Sequence, residues 1–189
     1  NDYGHLYYVD ATPVVADAKI DTGCTTASDA YKCWRTVLVG GLGAGGQGVY
    51  ALNVTNLVYF ENKTANDIVM WEFTDRDDAD LGYTFSRPFV RKMNNGKWAV
   101  IFGNGYNSKA DDNDVGSVER KGSGRAFLYV VYLDGPTGAN RTWVKDTDYF
   151  KIELKSPDES ATTPEQNGLS SVNGVDTNND GKIDYLYAG

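Results

Sequence analysis

Several residue types are scarce in this 189-residue chain. It has one histidine, two cysteines, five prolines and, among its 26 acids, only six glutamates against 20 aspartates. A single histidine, His5, leaves one imidazole for any Ser-His-Asp or histidine-rich metal chemistry, and it stands near the first residue. No apolar run approaches the roughly 18–20 residues needed to span a bilayer. Basic residues are outnumbered, 18 to 26, for a formal charge of −8. That balance argues against a nucleic-acid groove or an anionic membrane surface as main partner, since both need clustered Lys and Arg. The first residue is Asn1, and the chain reads as a processed or cut segment whose targeting signal is already gone.

Turn and strand formers fill the space left by the helix formers. There are 21 Gly, 13 Tyr and four Trp, and Asp and Asn are frequent. Asp, Asn and Gly favour turns, and Tyr, Trp and Val favour strands, so the composition predicts an all-β protein with Asp-bearing loops. The apolar share, 41%, suffices for a core.

Period-2 alternation picks out short strands in a recurring order. Thr12–Val15 is followed by Trp34–Gly40, Ser86–Val90 by Lys97–Gly103 across Asn94-Asn95-Gly96, and Ser170–Val175 by Lys182–Gly189 across an acidic loop. After the first two pairs the chain continues alike, with aromatic strands at Gly48–Val54 and Arg125–Leu133, then Ile68–Thr74 and Tyr149–Leu154. This predicts four antiparallel strands, twice, and half of a third set, in blade-like units over about residues 10–80, 84–155 and 168–189. Four-stranded repeats in series point to a β-propeller, which closes with about 4–8 blades. Two and a half cannot close, so residues 1–189 read as a fragment of one propeller domain.

The turn of the third unit runs Asp176-Thr177-Asn178-Asn179-Asp180-Gly181-Lys182-Ile183-Asp184. Calcium takes six to eight hard oxygen ligands. Asp176, Asn178 and Asp180 offer side-chain oxygens, Lys182 its backbone carbonyl with the side chain in solvent, and Asp184 the closing carboxylate. Gly181 permits the sharp turn, and Ile183 points the other way, into the core. Three carboxylates crowded without a cation would repel. The loop departs from an EF-hand in having Tyr187 at the twelfth position and strands as flanks.

Cys24 and Cys33 lie nine positions apart around a polar stretch. A disulfide there would staple the first hairpin by about 2–3 kcal/mol of loop entropy and would imply an oxidising, exported location; the alternative is two free thiols. The three equivalent turns are then expected to be held by a disulfide, an Asn95-Gly96 turn and Ca²⁺. Removing Ca²⁺ should loosen only the third.

Other motifs weigh less. Gly41-Leu42-Gly43-Ala44-Gly45-Gly46 matches a dinucleotide fingerprint, but the β-rich Gly48–Val54 follows where that motif needs a helix. Asp75, Asp77, Asp78 and Asp80 read as a solvated turn with local caps rather than a second cation site. Asp111, Asp112 and Asp114 read as a polar insertion.

Trp34–Asn53, Trp71–Pro88, Lys97–Ser108 and Asn167–Gly189 closely resemble the C-terminal domain of PilY/PilC-type type IV pilus biogenesis proteins. The resemblance implies a seven-bladed, quinoprotein-dehydrogenase-like β-propeller with a calcium loop, which falls here on Asp176, Asn178, Asp180, Lys182 and Asp184. It implies a non-enzymatic role at the pilus tip or outer cell surface, in adhesion and twitching. Minor pilins and a host or abiotic surface are the implied partners, without nucleic acid or membrane insertion. Calcium occupancy is expected to favour pilus extension and its loss retraction. Alternatives are a secreted calcium-dependent carbohydrate-binding propeller and a quinoprotein-type oxidoreductase.

Overall fold

The computed structural model describes residues 4, 6–20, 32–56, 60–106, 108, 122–155 and 167–189. Ten strands account for nearly all of the regular structure. Strands β1 (Val14–Lys19), β2 (Trp34–Gly41), β3 (Gly48–Asn53) and β4 (Val69–Thr74) form one four-stranded sheet in chain order. Strands β5 (Phe89–Lys92), β6 (Trp98–Gly103), β7 (Ala126–Tyr132) and β8 (Tyr149–Leu154) form a second. Strands β9 (Val172–Val175) and β10 (Tyr185–Ala188) make a two-stranded ladder. The strand pairings within these sheets are antiparallel, with Val14 opposite Val39, Phe89 opposite Ile101 and Val175 opposite Tyr185. The expected all-β class and the blade-like four-stranded units are therefore present, and the sheets do not close into a ring.

The differences from expectation are local. β1 starts two residues later than Thr12 and runs on to Lys19, pairing there with Trp34. A single helical turn, α1 (Ala65–Ile68), precedes β4. Thr64 and Asp67 form a capping box across it, which stabilises one turn in an otherwise helix-poor chain. β10 begins at Tyr185 rather than Lys182, because the acidic loop extends through Asp184.

The layers follow from alternation on the central strands. All seven residues of β7 are buried. Phe127, Tyr129 and Val131 pack with Val37, Val39 and Phe73 of the first sheet, while Ala126, Leu128 and Val130 pack with Leu169 and Val172. β6 divides in the same way, Val100 and Phe102 to one side and Ala99 and Ile101 to the other. Successive side chains point to opposite faces, so a strand apolar at every position must lie in a sheet covered on both. The second sheet is thus the middle layer of three.

Aromatic rings seal the first interface. Phe73 meets Tyr149 edge-on at 4.9 Å and Trp143 at 5.3 Å, and Phe102 stacks on Tyr129 at 5.5 Å. Such pairs contribute roughly 0.5–1.5 kcal/mol each beyond their buried area. The indole N–H groups are satisfied across the sheets, Trp71 Nε1 donating to the Leu133 carbonyl at 3.1 Å and Trp143 Nε1 to that of Glu72 at 2.8 Å.

One buried amide ties the units together. Asn104, fully buried, donates through Nδ2 to the carbonyls of Asp80 and Arg125 and accepts through Oδ1 from the N–H groups of Phe127 and Leu169. All four of its hydrogen-bonding positions are used.

Candidate functional site

The ladder of β9 and β10 presents the acidic loop at its tip. The Asp184 N–H donates to the Val175 carbonyl at 3.0 Å and closes the neck. The preceding Ile183 is buried, and its N–H donates to the Lys92 carbonyl at 3.0 Å, which fastens the loop to β5. Ile183 thus points inward, as its position in the motif predicts.

Inside the loop, side-chain oxygens organise the backbone. Both Asp176 oxygens accept, Oδ1 from the Asp180 N–H at 3.3 Å and Oδ2 from the Gly181 N–H at 2.8 Å. Asn178 Oδ1 accepts from the Asp180 N–H at 2.9 Å, and Asp180 Oδ1 from the Lys182 N–H at 2.9 Å. Asp184 Oδ2 accepts from the N–H and the hydroxyl of Thr177, at 2.8 and 2.6 Å. Two residues are left-handed, Asn179 at φ 59° and Gly181 at φ 81°. Asx-type turns of this kind need short acceptors two to five residues upstream of free N–H groups, and D-x-N-x-D-G supplies them.

One feature departs from expectation. The Lys182 side chain folds back over the loop and is only partly exposed. Its Nζ lies 3.0 Å from Asp180 Oδ2, because the acidic loop attracts its own ammonium. The acids face the loop's own donors. The Lys182 ammonium and backbone N–H hold the Asp180 carboxyl below its usual value. The Thr177 hydroxyl and N–H do the same for Asp184. The structure brings Asp176, Asn178, Asp180, Lys182 and Asp184 into one exposed loop. These are hard oxygen donors of the kind calcium takes.

The other acidic stretch follows β4 and is built differently. Asp77 caps locally, accepting from the N–H and hydroxyl of Thr74. Asp78 and Asp80 are not solvated, which corrects that reading. Asp78 is 8% exposed, and Lys151 Nζ of β8 lies 2.6 Å from Asp78 Oδ1 and 2.6 Å from Asp80 Oδ2. The Tyr149 hydroxyl donates to Asp78 Oδ2 at 3.0 Å, and the Ser123 N–H donates to Asp80. Burial works to raise the Asp80 carboxyl, but Lys151 and Ser123 outweigh it and hold it below its usual value. Burial works to lower the Lys151 ammonium, and the two carboxylates hold it raised. A protein ammonium therefore stands where a second cation was considered. Nothing near Asp78 in sequence announces a partner 73 residues away.

The remaining candidates separate readily. In Gly41–Gly46, a short 3-10 turn, Gly43–Gly45, leads directly into β3, so the loop lacks the helix a phosphate cradle needs. Its Ala44 N–H is instead met by Asp10 Oδ1 at 2.8 Å. The Asn94-Asn95-Gly96 turn is present, with Gly96 at φ 85° and Asn95 Oδ1 accepting from the Lys97 N–H at 3.0 Å. Cys33 is buried, and the Ile20 N–H donates to its carbonyl at 3.1 Å. Cys24, His5, Asp111, Asp112 and Asp114 lie outside the described residues. No helix among the described residues is long and apolar enough to cross a membrane.

Comparison with known proteins places this architecture. The PilY1 beta-propeller domain family matches residues 2–189. The type IV pilus biogenesis factor PilY1 of Pseudomonas aeruginosa strain UCBPP-PA14 is 40% identical over 185 residues, covering 98% of this chain and 12% of that protein. A PilY1 homolog of Xylella fastidiosa is 35% identical over 186 residues, covering 98% of this chain and 10% of the relative. The crystal structure of the Pseudomonas aeruginosa PilY1 C-terminal domain superposes with a TM-score of 0.63 at 34% identity, over 96% of this chain and 28% of that one. The chain thus spans about a tenth of the length of these curated relatives. With its stacked four-stranded antiparallel units and this match along nearly its whole length, the chain belongs to the PilY1 β-propeller domain family.

Proposed function

We propose that this chain is a non-enzymatic propeller segment of a type IV pilus biogenesis factor, and that the Asp176–Asp184 loop binds Ca²⁺. The observation that carries the reading is the placement of that loop. It joins β9 to β10, is anchored to β5 through Ile183, and carries three carboxylates, an amide oxygen and the Lys182 carbonyl within nine residues, in a family whose named members are pilus biogenesis factors. Asp176, Asn178, Asp180 and Asp184 would hold the ion through side chains and Lys182 through its backbone. The ion would supply positive charge that cross-links the hairpin tip. The Lys182 ammonium now pairs with Asp180 and would be displaced.

In this reading the protein acts at the pilus tip or outer cell surface with minor pilins, contacts host or abiotic surfaces, and responds to calcium. Occupancy favours extension and loss favours retraction. A disulfide between Cys24 and Cys33 would staple the first hairpin as the ion staples the third.

The test is calorimetric. The full-length protein should bind Ca²⁺, and Asp180→Ala should weaken that binding at least about tenfold, since a charged ligand is removed. Cells carrying the variant should show fewer extended pili. Equal Ca²⁺ affinity in parent and variant removes the ligand assignment.

A further inference from the structure

The first sheet ends at β4, which pairs with β3 on one side and with no strand on the other. Alternate residues of an antiparallel strand turn both N–H and C=O to the same side. The Asp75 N–H donates inward, to the Gln47 carbonyl at 3.2 Å, so Thr74 and Glu72 face outward. Met70 is an extra residue where the register slips between Ala51 and Leu52. Open N–H and C=O groups on an edge are a template for another strand. The residues of β4 sharpen that hazard. Val69-Met70-Trp71-Glu72-Phe73-Thr74 is rich in β-branched and aromatic residues, holds one charge and lacks Pro and Gly, the composition of segments that stack strand on strand.

That edge is occupied from two directions. Thr74 is closed locally, its N–H donating to Asp77 Oδ2 at 2.8 Å and its carbonyl accepting from the Asp77 N–H at 2.9 Å. The other two carbonyls are met from the second unit, by the loop of residues 133–148 that joins β7 to β8. Arg141 Nη2 donates to the Met70 carbonyl at 2.7 Å, and Trp143 Nε1 to the Glu72 carbonyl at 2.8 Å. The matching outer strand of the second sheet, β8, instead carries two charges, Lys151 and Glu153, in its six residues, which is another way an edge is blunted.

The loop is shaped to reach. Asp148, buried at its base, accepts from the N–H groups of Thr137 and Val144 and from the Thr137 hydroxyl, which ties its two limbs together. Asn140 and Arg141 are both left-handed, at φ 55° and 58°. Such backbone is costly in residues other than Gly and persists where the surroundings hold it. Here it carries the Arg141 guanidinium to the Met70 carbonyl. The Trp143 ring packs edge-on against Trp71 and Phe73, each at 5.3 Å, so its N–H is held over the strand. A guanidinium and an indole donate without accepting, and both are aimed at acceptors that a pairing strand would need.

We propose that the β7–β8 loop is an edge guard, in which Arg141 and Trp143 close β4 against pairing with β4 of a second copy of this chain. A strand running antiparallel to its own copy presents the same groups from both sides, so the pairing that the guard prevents is a two-fold one. The inference uses no calcium-loop side chain and stands independently of the calcium reading.

The test compares the full-length protein with its Arg141→Ala/Trp143→Phe variant, which removes both donors and keeps an aromatic ring against Trp71 and Phe73. In sedimentation the variant's average mass should rise with concentration toward twice the parent's. Hydrogen exchange in the peptide spanning β4 should slow over the same concentration range, and exchange in β8 should not change. Adding Glu72→Pro, which deletes an outward N–H and is tolerated on an edge strand, should restore the parent's mass. Arg141→Ala alone, at an exposed residue, should show the same trend more weakly, and it carries the test if the double variant does not fold. The proposal is overturned if the variants match the parent's mass at every concentration, if they associate with β4 exchange unchanged, or if Glu72→Pro leaves the association as strong.

Discussion

Two Asp-rich stretches in this protein look alike in sequence and solve the same electrostatic problem in opposite ways. Asp78 and Asp80 are carried inward between two sheets, where Lys151 and Tyr149 meet them. Asp176, Asp180 and Asp184 stay on an exposed hairpin tip, met by the loop's own N–H groups and by the partly exposed Lys182. The first cluster is neutralised from within the fold and has no place for an outside ion. The second keeps oxygens that solvent and ions can reach. Proximity of acids in sequence thus says little about metal binding until the source of the counter-charge is known.

The largest effect that could break this contrast is the loss of Lys151. Lys151→Met would leave two buried carboxylates unpaired and should destabilise the protein by about 3–5 kcal/mol, read from chemical denaturation. Lys182→Met, at the exposed pair, should cost no more than about 1 kcal/mol. Similar losses at the two sites would show that burial does not separate them.

Calcium sharpens the contrast at the next level. Added at 100 times its dissociation constant, it should stabilise the protein by about 2.7 kcal/mol. Amide exchange should slow in β9 and β10 on adding Ca²⁺ and quicken with a chelator, while β6 and β7 stay unchanged. Equal changes in the middle sheet would contradict a local role for the ion.

A pair of glycines offers a finer comparison. Gly96 and Gly181 have φ of 85° and 81°, and an added Cβ would meet nothing within 4 Å at either. Alanine at each should therefore cost only left-handed strain, about 1–2 kcal/mol. Only Gly181→Ala should also weaken Ca²⁺ binding, as seen by paired melts and titrations. Loss of Ca²⁺ binding in Gly96→Ala would break the assignment.

The pH profile should show the smallest effect. Asp80 is held below its ordinary 3.8, so its contribution is present above that value and is lost as pH falls through the lower folded-state pKa. Lys151 is held above 10.5, so its contribution is present below that value and is lost as pH rises through the higher folded-state pKa. Tyr149 is raised as well, by burial and by Asp78, which adds to the alkaline decline. Stability against pH should be flat between the two limits, and Lys151→Met should make the alkaline arm shallower. An unchanged alkaline arm in that variant would remove Lys151 from the account.

Much of this was legible in the residue order. The short apolar run Trp98–Gly103 and the alternating run Phe150–Leu154 marked their strands, because a pleated strand turns successive side chains to opposite faces and either one or both faces are covered. Gly96 and Gly181 marked their turns, because left-handed backbone excludes most other residues. Ile183 could be placed inward from its position in the acidic motif alone. These are short-range properties, set by each residue and its near neighbours.

What depends on stacking was not legible. Local order does not say that β7 is covered on both faces, that Asn104 joins Asp80, Arg125, Phe127 and Leu169, or that Lys151 lies against Asp78. Nor does it show that Arg141 and Trp143 reach the edge of β4. Each of these pairings spans tens of residues and exists only once the sheets have packed. Sequence by itself determined where the chain extends and where it turns; the packing of one sheet on the next decided which charges are enclosed and which remain open to a ligand.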